Sequence, residues 1–238
     1  MPGPASDLPV DRVDVWVIPV DGSRSVADAE RWLSPDERAR GERFVFDRDR
    51  RRFLLGRRAL RGILASYLSC EPEAIAFAYG PTGKPRLAAE DCARGLQFNA
   101  SGSADLAVCA VTCDRSVGID IEHLRENCDP DLVRYALCES ERADFEKIPK
   151  DQQPTAFYRA WTRKEAFLKA TGSGLSRPLA SFAVSVAPGE PPRLVRDDTA
   201  PGELARWSFV DFDPAPGWVG TLVLSDDPLT LQRREWND

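Results

Sequence analysis

The stretch VDVWVIPV, Val13 to Val20, carries β-branched and aromatic side chains near period two, a pattern that predicts a strand. LSPDERARGERF then opens a helix: Ser34 takes the N-cap, Pro35 fits the first turn, and Glu37 lies three residues on, as in a capping box. In RRFLLGRRALRGILASYL the residues Phe53, Leu54, Leu60, Ile63, Leu64 and Leu68 recur at helical spacing, so a second helix follows. After the loop YGPTGKPRL come three short predicted strands, LQFNAS, LAVCAV and VGIDIE, separated by polar turns.

The pattern then repeats. Leu33, Glu37, Arg38 and Ala39 match Leu137, Glu141, Arg142 and Ala143 at a constant offset, and Phe53 matches Phe157 at the same offset. FAVSV, RWSFVDF and WVGTLVL follow as strands, mirroring those that end the first half. Shared order and offset point to a duplication: an α/β (α+β) fold of two pseudo-symmetric halves, residues 1–114 and 115–238, with a cleft between them. The boundary falls in the turn TCDRS, Thr112 to Ser116. The Pro-rich segment Ala187 to Glu203 reads as a surface loop between strands, with no domain linker required.

Composition narrows the function. The chain of 238 residues is long enough to bury a proper core. Its formal charge is -6, yet arginines crowd the first quarter, and a basic patch on an acidic protein suits a small anionic ligand or an acidic partner better than duplex nucleic acid. Six cysteines without a CxxC pair, mostly among apolar residues, read as buried or free thiols and favour a reducing compartment. Neither a signal sequence nor an apolar run of membrane-spanning length is present, so a cytoplasmic, soluble protein is expected. The single histidine, His123, rules out a multi-histidine zinc site.

Two stretches carry candidate chemistry. In VGIDIEHL, Asp120 and Glu122 alternate with Ile119 and Ile121, so the carboxylates share one strand face, about 6.5 to 7 Å apart and within reach of one hard cation such as Mg²⁺. Gly118 leaves the neighbouring position on that face empty, room for a ligand; His123 turns to the opposite face. Taken alone, an ordinary strand with an acidic face explains these residues as well. In WTRKEAFLKATGSGL, Trp161, Glu165 and Lys169 lie along one flank of a helix that ends at Gly172. A solvated i,i+4 ion pair would account for Glu165 and Lys169, but Lys164 interrupts the apolar stripe and Trp161 shares their flank, which suggests partial burial.

Together YGPTGKPRL, FNAS-S across Phe98 to Ser103, VGIDIE and the long W-x-x-K-E-A-x-x-K-x-x-G-x-G-L stretch resemble the Sfp-type 4′-phosphopantetheinyl transferases, from about Leu33 to Leu179. The resemblance implies an enzyme that moves the phosphopantetheine arm of coenzyme A onto a serine of an apo acyl or peptidyl carrier protein. Mg²⁺ would sit on the pyrophosphate, and adenosine 3′,5′-bisphosphate would leave. By motif position Asp120, Glu122 and Glu165 would be the metal ligands. Glu165 would also act as base, Lys169 would steady the phosphate or leaving group, and Lys164 would contact phosphate. Coenzyme A would lie between the halves, with Arg40, Arg52, Lys84 and Ser101 around its 3′-phosphate and pyrophosphate. A duplicated chain that supplies both halves favours a monomer.

One departure stands out: the family's N-x-S-H-S reads NASGS here, with Gly102 at the histidine position. It motivates a second reading, a coenzyme A or nucleotide-binding regulator with weakened turnover. A third, an ATP-dependent phosphotransferase, lacks the P-loop signature. Whether the client serves fatty acid, polyketide or nonribosomal peptide synthesis leaves no trace in the residues.

Overall fold

In the computed structural model, residues 8–21, 26–80, 84–88, 95–226 and 230–237 are described. The amino-terminal residues 1–7 and loop residues 81–83, both used in the sequence reading, lie outside that set. The chain divides into two compact units: Met1–Ala78 with Pro85–Asp114 and Thr230–Asp238, and Tyr79–Lys84 with Arg115–Leu229.

The first unit starts with β1 (Arg12–Pro19), followed by the helices α1 (Val26–Ala29), α2 (Pro35–Glu42) and α3 (Asp47–Leu68). The capping box at α2 forms as its spacing predicts: Ser34 Oγ accepts from Glu37 N, and Glu37 Oε2 accepts from Ser34 N at 2.9 Å. A short hairpin, β2 (Phe77–Tyr79) and β3 (Pro85–Leu87), leads to β4 (Leu96–Ser103) and β5 (Leu106–Cys113). The sheet order is β11-β1-β5-β4, where β11 is the chain's last strand, Thr230–Glu235. Trp16, Leu54, Ile63, Leu64, Phe98 and Val111 belong to the core between this sheet and α3.

The second unit opens with β6 (Val117–His123), then α4 (Pro130–Ala136), α5 (Glu139–Glu146) and the long α6 (Gln153–Thr171). A hairpin of β7 (Phe182–Val184) and β8 (Leu194–Asp197) precedes β9 (Trp207–Phe212) and β10 (Trp218–Ser225). Its sheet, β6-β10-β9, is antiparallel and repeats the β1-β5-β4 arrangement of the first unit. The repeat extends to single hydrogen bonds. Arg38 Nη1 donates to Leu33 O at 2.7 Å, and its counterpart Arg142 donates to Leu137 O at 2.6 Å. Glu141 Oε2 accepts from Cys138 N at 2.7 Å, as Glu37 does from Ser34 N.

One boundary moves. The expectation of 115–238 as one continuous half is corrected at its end, because β11 pairs in parallel with β1, from Arg12↔Thr230 to Val17↔Glu235. Asp14, fully buried on β1, holds it there: its carboxylate accepts from Tyr67 Oη at 2.5 Å and Arg234 Nε at 2.8 Å, with Arg12 Nε at 2.9 Å. Burial, then the neighbouring Asp14, pushes the Tyr67 phenol upward, so it stays a neutral donor. Among the described residues, no helix is long and apolar enough to cross a membrane.

Candidate active site

Strand alternation puts Gly118, Asp120 and Glu122 on the face of β6 that α6 covers. A Cβ added to Gly118 would lie 2.0 Å from Ala166 O and 2.4 Å from Ala170 N. The space expected for a ligand is therefore filled by the helix backbone itself. The glycine lets α6 approach closely enough to lay its Glu165–Lys169 flank beside the strand carboxylates.

Asp120 is 5% exposed and accepts from Lys169 Nζ at 2.6 Å; the same ammonium donates to Ile119 O at 3.2 Å. Glu165, half-buried, has its carboxyl pushed up by burial first and then by Asp120, against the pull of Lys169 and with a further push from Glu122. Those mutual effects show that Asp120, Glu122, Glu165 and Lys169 share one electrostatic neighbourhood. Thr221, the cross-strand partner of Asp120 on β10, hydrogen-bonds Thr162 Oγ1 at 3.0 Å and Asp211 Oδ1 at 2.9 Å. Arg163 closes on Asp211 Oδ2 at 2.6 Å, so a buried polar network fastens α6 to the sheet beside the carboxylates.

Lys84, expected among first-half groups around phosphate, belongs to the second unit. Its Nζ donates to Val117 O at 3.2 Å and to Lys169 O, capping the last turn of α6. Burial, aided by the charge of Lys169, lowers its ammonium to about 8. Gly172 takes the left-handed conformation at φ +71° and its N–H donates to the same carbonyl at 3.3 Å, ending the helix as its position predicts.

Lys164 departs from its expected place. It is fully buried, pairs with Glu141, donates to Phe182 O at 3.1 Å, and lies over the Phe182 ring at 4.8 Å. The physical reason is its angular position: one residue before Glu165 it points into the packed side of α6, where only a buried carboxylate can hold an ammonium. As placed its ammonium is committed to Glu141 and Phe182 O inside the protein. Glu141 escaped notice as a partner of Lys164 because the two are far apart in sequence; its signal was the capping-box position it shares with Glu37.

The other nucleotide candidates lie in the first unit. Arg40 stacks over Phe53 at 5.4 Å and, with Arg43 and Phe44, lines an open cavity of about 430 Å³. Arg52 is held by Asp105 at 2.8 Å and Asp49 at 3.3 Å. Ser101 stands on β4 opposite Val108. At exposed Gly102 an added Cβ would come no closer than 3.4 Å to Leu106 O, so a side chain is sterically admissible there.

Asp120, Glu122 and Glu165 are hard oxygen donors of the type a divalent cation takes. Among the described residues no three His, Cys, Asp or Glu side chains converge into a ready cation cage, and Lys169 occupies one Asp120 oxygen. The donor set fits such an ion in chemistry and in electrostatic neighbourhood.

A cluster of carboxylates shared between a strand and its cover helix, with Lys169 against Asp120, suits an enzyme that handles a phosphate ester. Comparison with known proteins makes the class specific. The family model of the 4′-phosphopantetheinyl transferase superfamily matches residues 116–223, and that of the 4′-phosphopantetheinyl transferase N-terminal region matches 22–114. The 4′-phosphopantetheinyl transferase HetI of Nostoc sp. is 39% identical over 90% of this chain and 88% of its own. The 4′-phosphopantetheinyl transferase Sfp of Bacillus subtilis is 31% identical over 71% of this chain and 75% of its own. The L-aminoadipate-semialdehyde dehydrogenase-phosphopantetheinyl transferase of Mus musculus is 31% identical over 67% and 55%. The chain belongs to the 4′-phosphopantetheinyl transferase family and is an enzyme of that activity.

Proposed function

We propose that this chain transfers the 4′-phosphopantetheine group from coenzyme A to a serine of an apo acyl or peptidyl carrier protein, with Mg²⁺ as cofactor and adenosine 3′,5′-bisphosphate as leaving group. The observation that carries the reading is the set of Asp120, Glu122 and Glu165 beside Lys169, on a chain whose relatives bear this activity. Asp120, Glu122 and Glu165 would hold the ion, which supplies charge neutralisation on the pyrophosphate when bound.

The remaining work falls to side chains of this protein. The serine oxygen forms a bond to the phosphorus that carries the pantetheine arm, and the bond from that phosphorus to the bridging pyrophosphate oxygen breaks. Glu165 takes the serine proton, directly or through water; burial makes its carboxylate a stronger base than a solvated one. Lys169, which donates to Asp120, would turn its ammonium to the negative charge that develops on the departing phosphate. Arg40, Arg52 and Ser101 remain the groups proposed for the nucleotide end.

The test is mass spectrometry of a panel of apo carriers incubated with the protein, coenzyme A and Mg²⁺. A gain of one phosphopantetheinyl group is expected, dependent on Mg²⁺ and lost in Asp120→Ala at unchanged secondary structure. No gain on any carrier would overturn the reading, and full activity in Asp120→Ala would remove that residue from the site.

A further inference from the structure

We propose that the buried Glu141–Lys164 pair is the positioning device of the transferase site, setting the rotation of α6 and so the place of Glu165 opposite Asp120. The inference rests on the reading of Glu165 as a site residue. One carboxylate gathers three elements: Glu141 Oε2 accepts from Cys138 N at the start of α5 and from Lys164 on α6, and Oε1 accepts from Val184 N of β7 at 2.8 Å. Lys164 adds its bond to Phe182 O, at the start of the same strand.

Apolar contacts alone leave a helix some freedom to roll, whereas a buried ion pair must keep its hydrogen-bond distance or leave a charge uncompensated. A carboxylate about 6 Å from the axis moves roughly 1 Å for a 10° roll, and displacements of that size cost on the order of 100-fold in rate. On the opposite side Gly118 fixes how closely α6 approaches the sheet. The pair and the glycine together determine both roll and height of the flank that carries Glu165 and Lys169.

The first unit holds an equivalent pair and serves as an internal control. Glu37, the counterpart of Glu141, pairs with Arg61 on α3 at 2.7 Å, and Arg61 donates to Pro72 O and Ile75 O at 2.9 Å. At the repeat offset Arg61 corresponds to Glu165, so in the second unit the cation has moved back one residue, to Lys164. The position released by that move carries the site carboxylate.

The experiment compares Lys164→Met, Arg61→Met, Lys164→Arg and the double variant Glu141→Gln/Lys164→Met in transfer kinetics, each beside its Tm. Lys164→Met is expected to lower kcat per folded molecule about tenfold or more, with KM for coenzyme A and carrier within about twofold. Arg61→Met should lower Tm with kcat nearly unchanged, and Lys164→Arg should restore most of kcat. The double variant removes both buried charges, so its Tm should recover towards wild type while kcat stays low. Wild-type kcat in Lys164→Met, recovery of kcat together with Tm in the double variant, or a KM rise for coenzyme A alone would each overturn the proposal. A crystal structure of the double variant reads the geometry independently of any acceptor. Glu165 shifted relative to Asp120 supports the proposal even if no carrier is modified, and Glu165 in place overturns it.

Discussion

Glu165 shows how much one side chain's surroundings alter its meaning. Its residue type and i,i+4 lysine are those of a surface ion pair, and Trp161 on the same flank was the sequence's hint of burial. The folded chain raises its carboxyl through burial and the nearby Asp120. An acid whose folded value lies above its unfolded one contributes stability that is complete below the unfolded value and disappears as pH rises through the folded value. At neutral pH Glu165 therefore weighs against the fold. Glu165→Gln is expected to raise Tm at pH 7 to 8, the gain shrinking as pH falls through the raised folded value and gone below about 4. Differential scanning calorimetry with chelator present checks this, and a Tm lowered at neutral pH would contradict it. Lys164 was legible as an anomaly in an apolar stripe, but its role was not, because its partner Glu141 is brought to it only by the tertiary fold.

Periodicity fared best for whole elements. The acidic strand and the lysine-bearing helix were predicted nearly to their ends, since both combine strong patterning with clear stop signals. Their contact was not legible. Gly118 reads identically in a sequence whether its missing side chain admits a ligand or a helix, and here Ala166 and Ala170 fill the gap. Gly118→Ala should push α6 off the strand by about 1 Å, destabilise the second unit by about 1–3 kcal/mol or more, and cut transfer roughly 100-fold. Chemical denaturation and steady-state rates measure the two effects. A variant with wild-type values in both would show that the contact is not tight.

At the scale of the whole chain, the duplication announced by a few matching residues holds down to paired arginine and glutamate contacts in each unit. What the pattern could not reveal is β11. LQRRE has no apolar alternation because the strand lies exposed at the sheet edge, where polar side chains meet water on both faces. Its attachment depends on Asp14, buried among Tyr67, Arg12 and Arg234. Arg234→Met leaves that carboxylate with fewer donors, and a loss of about 1–3 kcal/mol in urea unfolding is expected. An unchanged midpoint would mean that Tyr67 and Arg12 suffice.

The return of β11 to β1 also bears on biosynthesis. Ribosomes emit roughly 5–20 residues per second, so on the order of ten seconds pass between the emergence of β5 and that of the strand which completes its sheet. During that interval the opening sheet waits with β1 as an unpaired edge, and the second unit receives its own last strand, β10, before β11 emerges. Vectorial synthesis and the order of folding thus run in opposite directions in this chain: the half translated first is the half finished last.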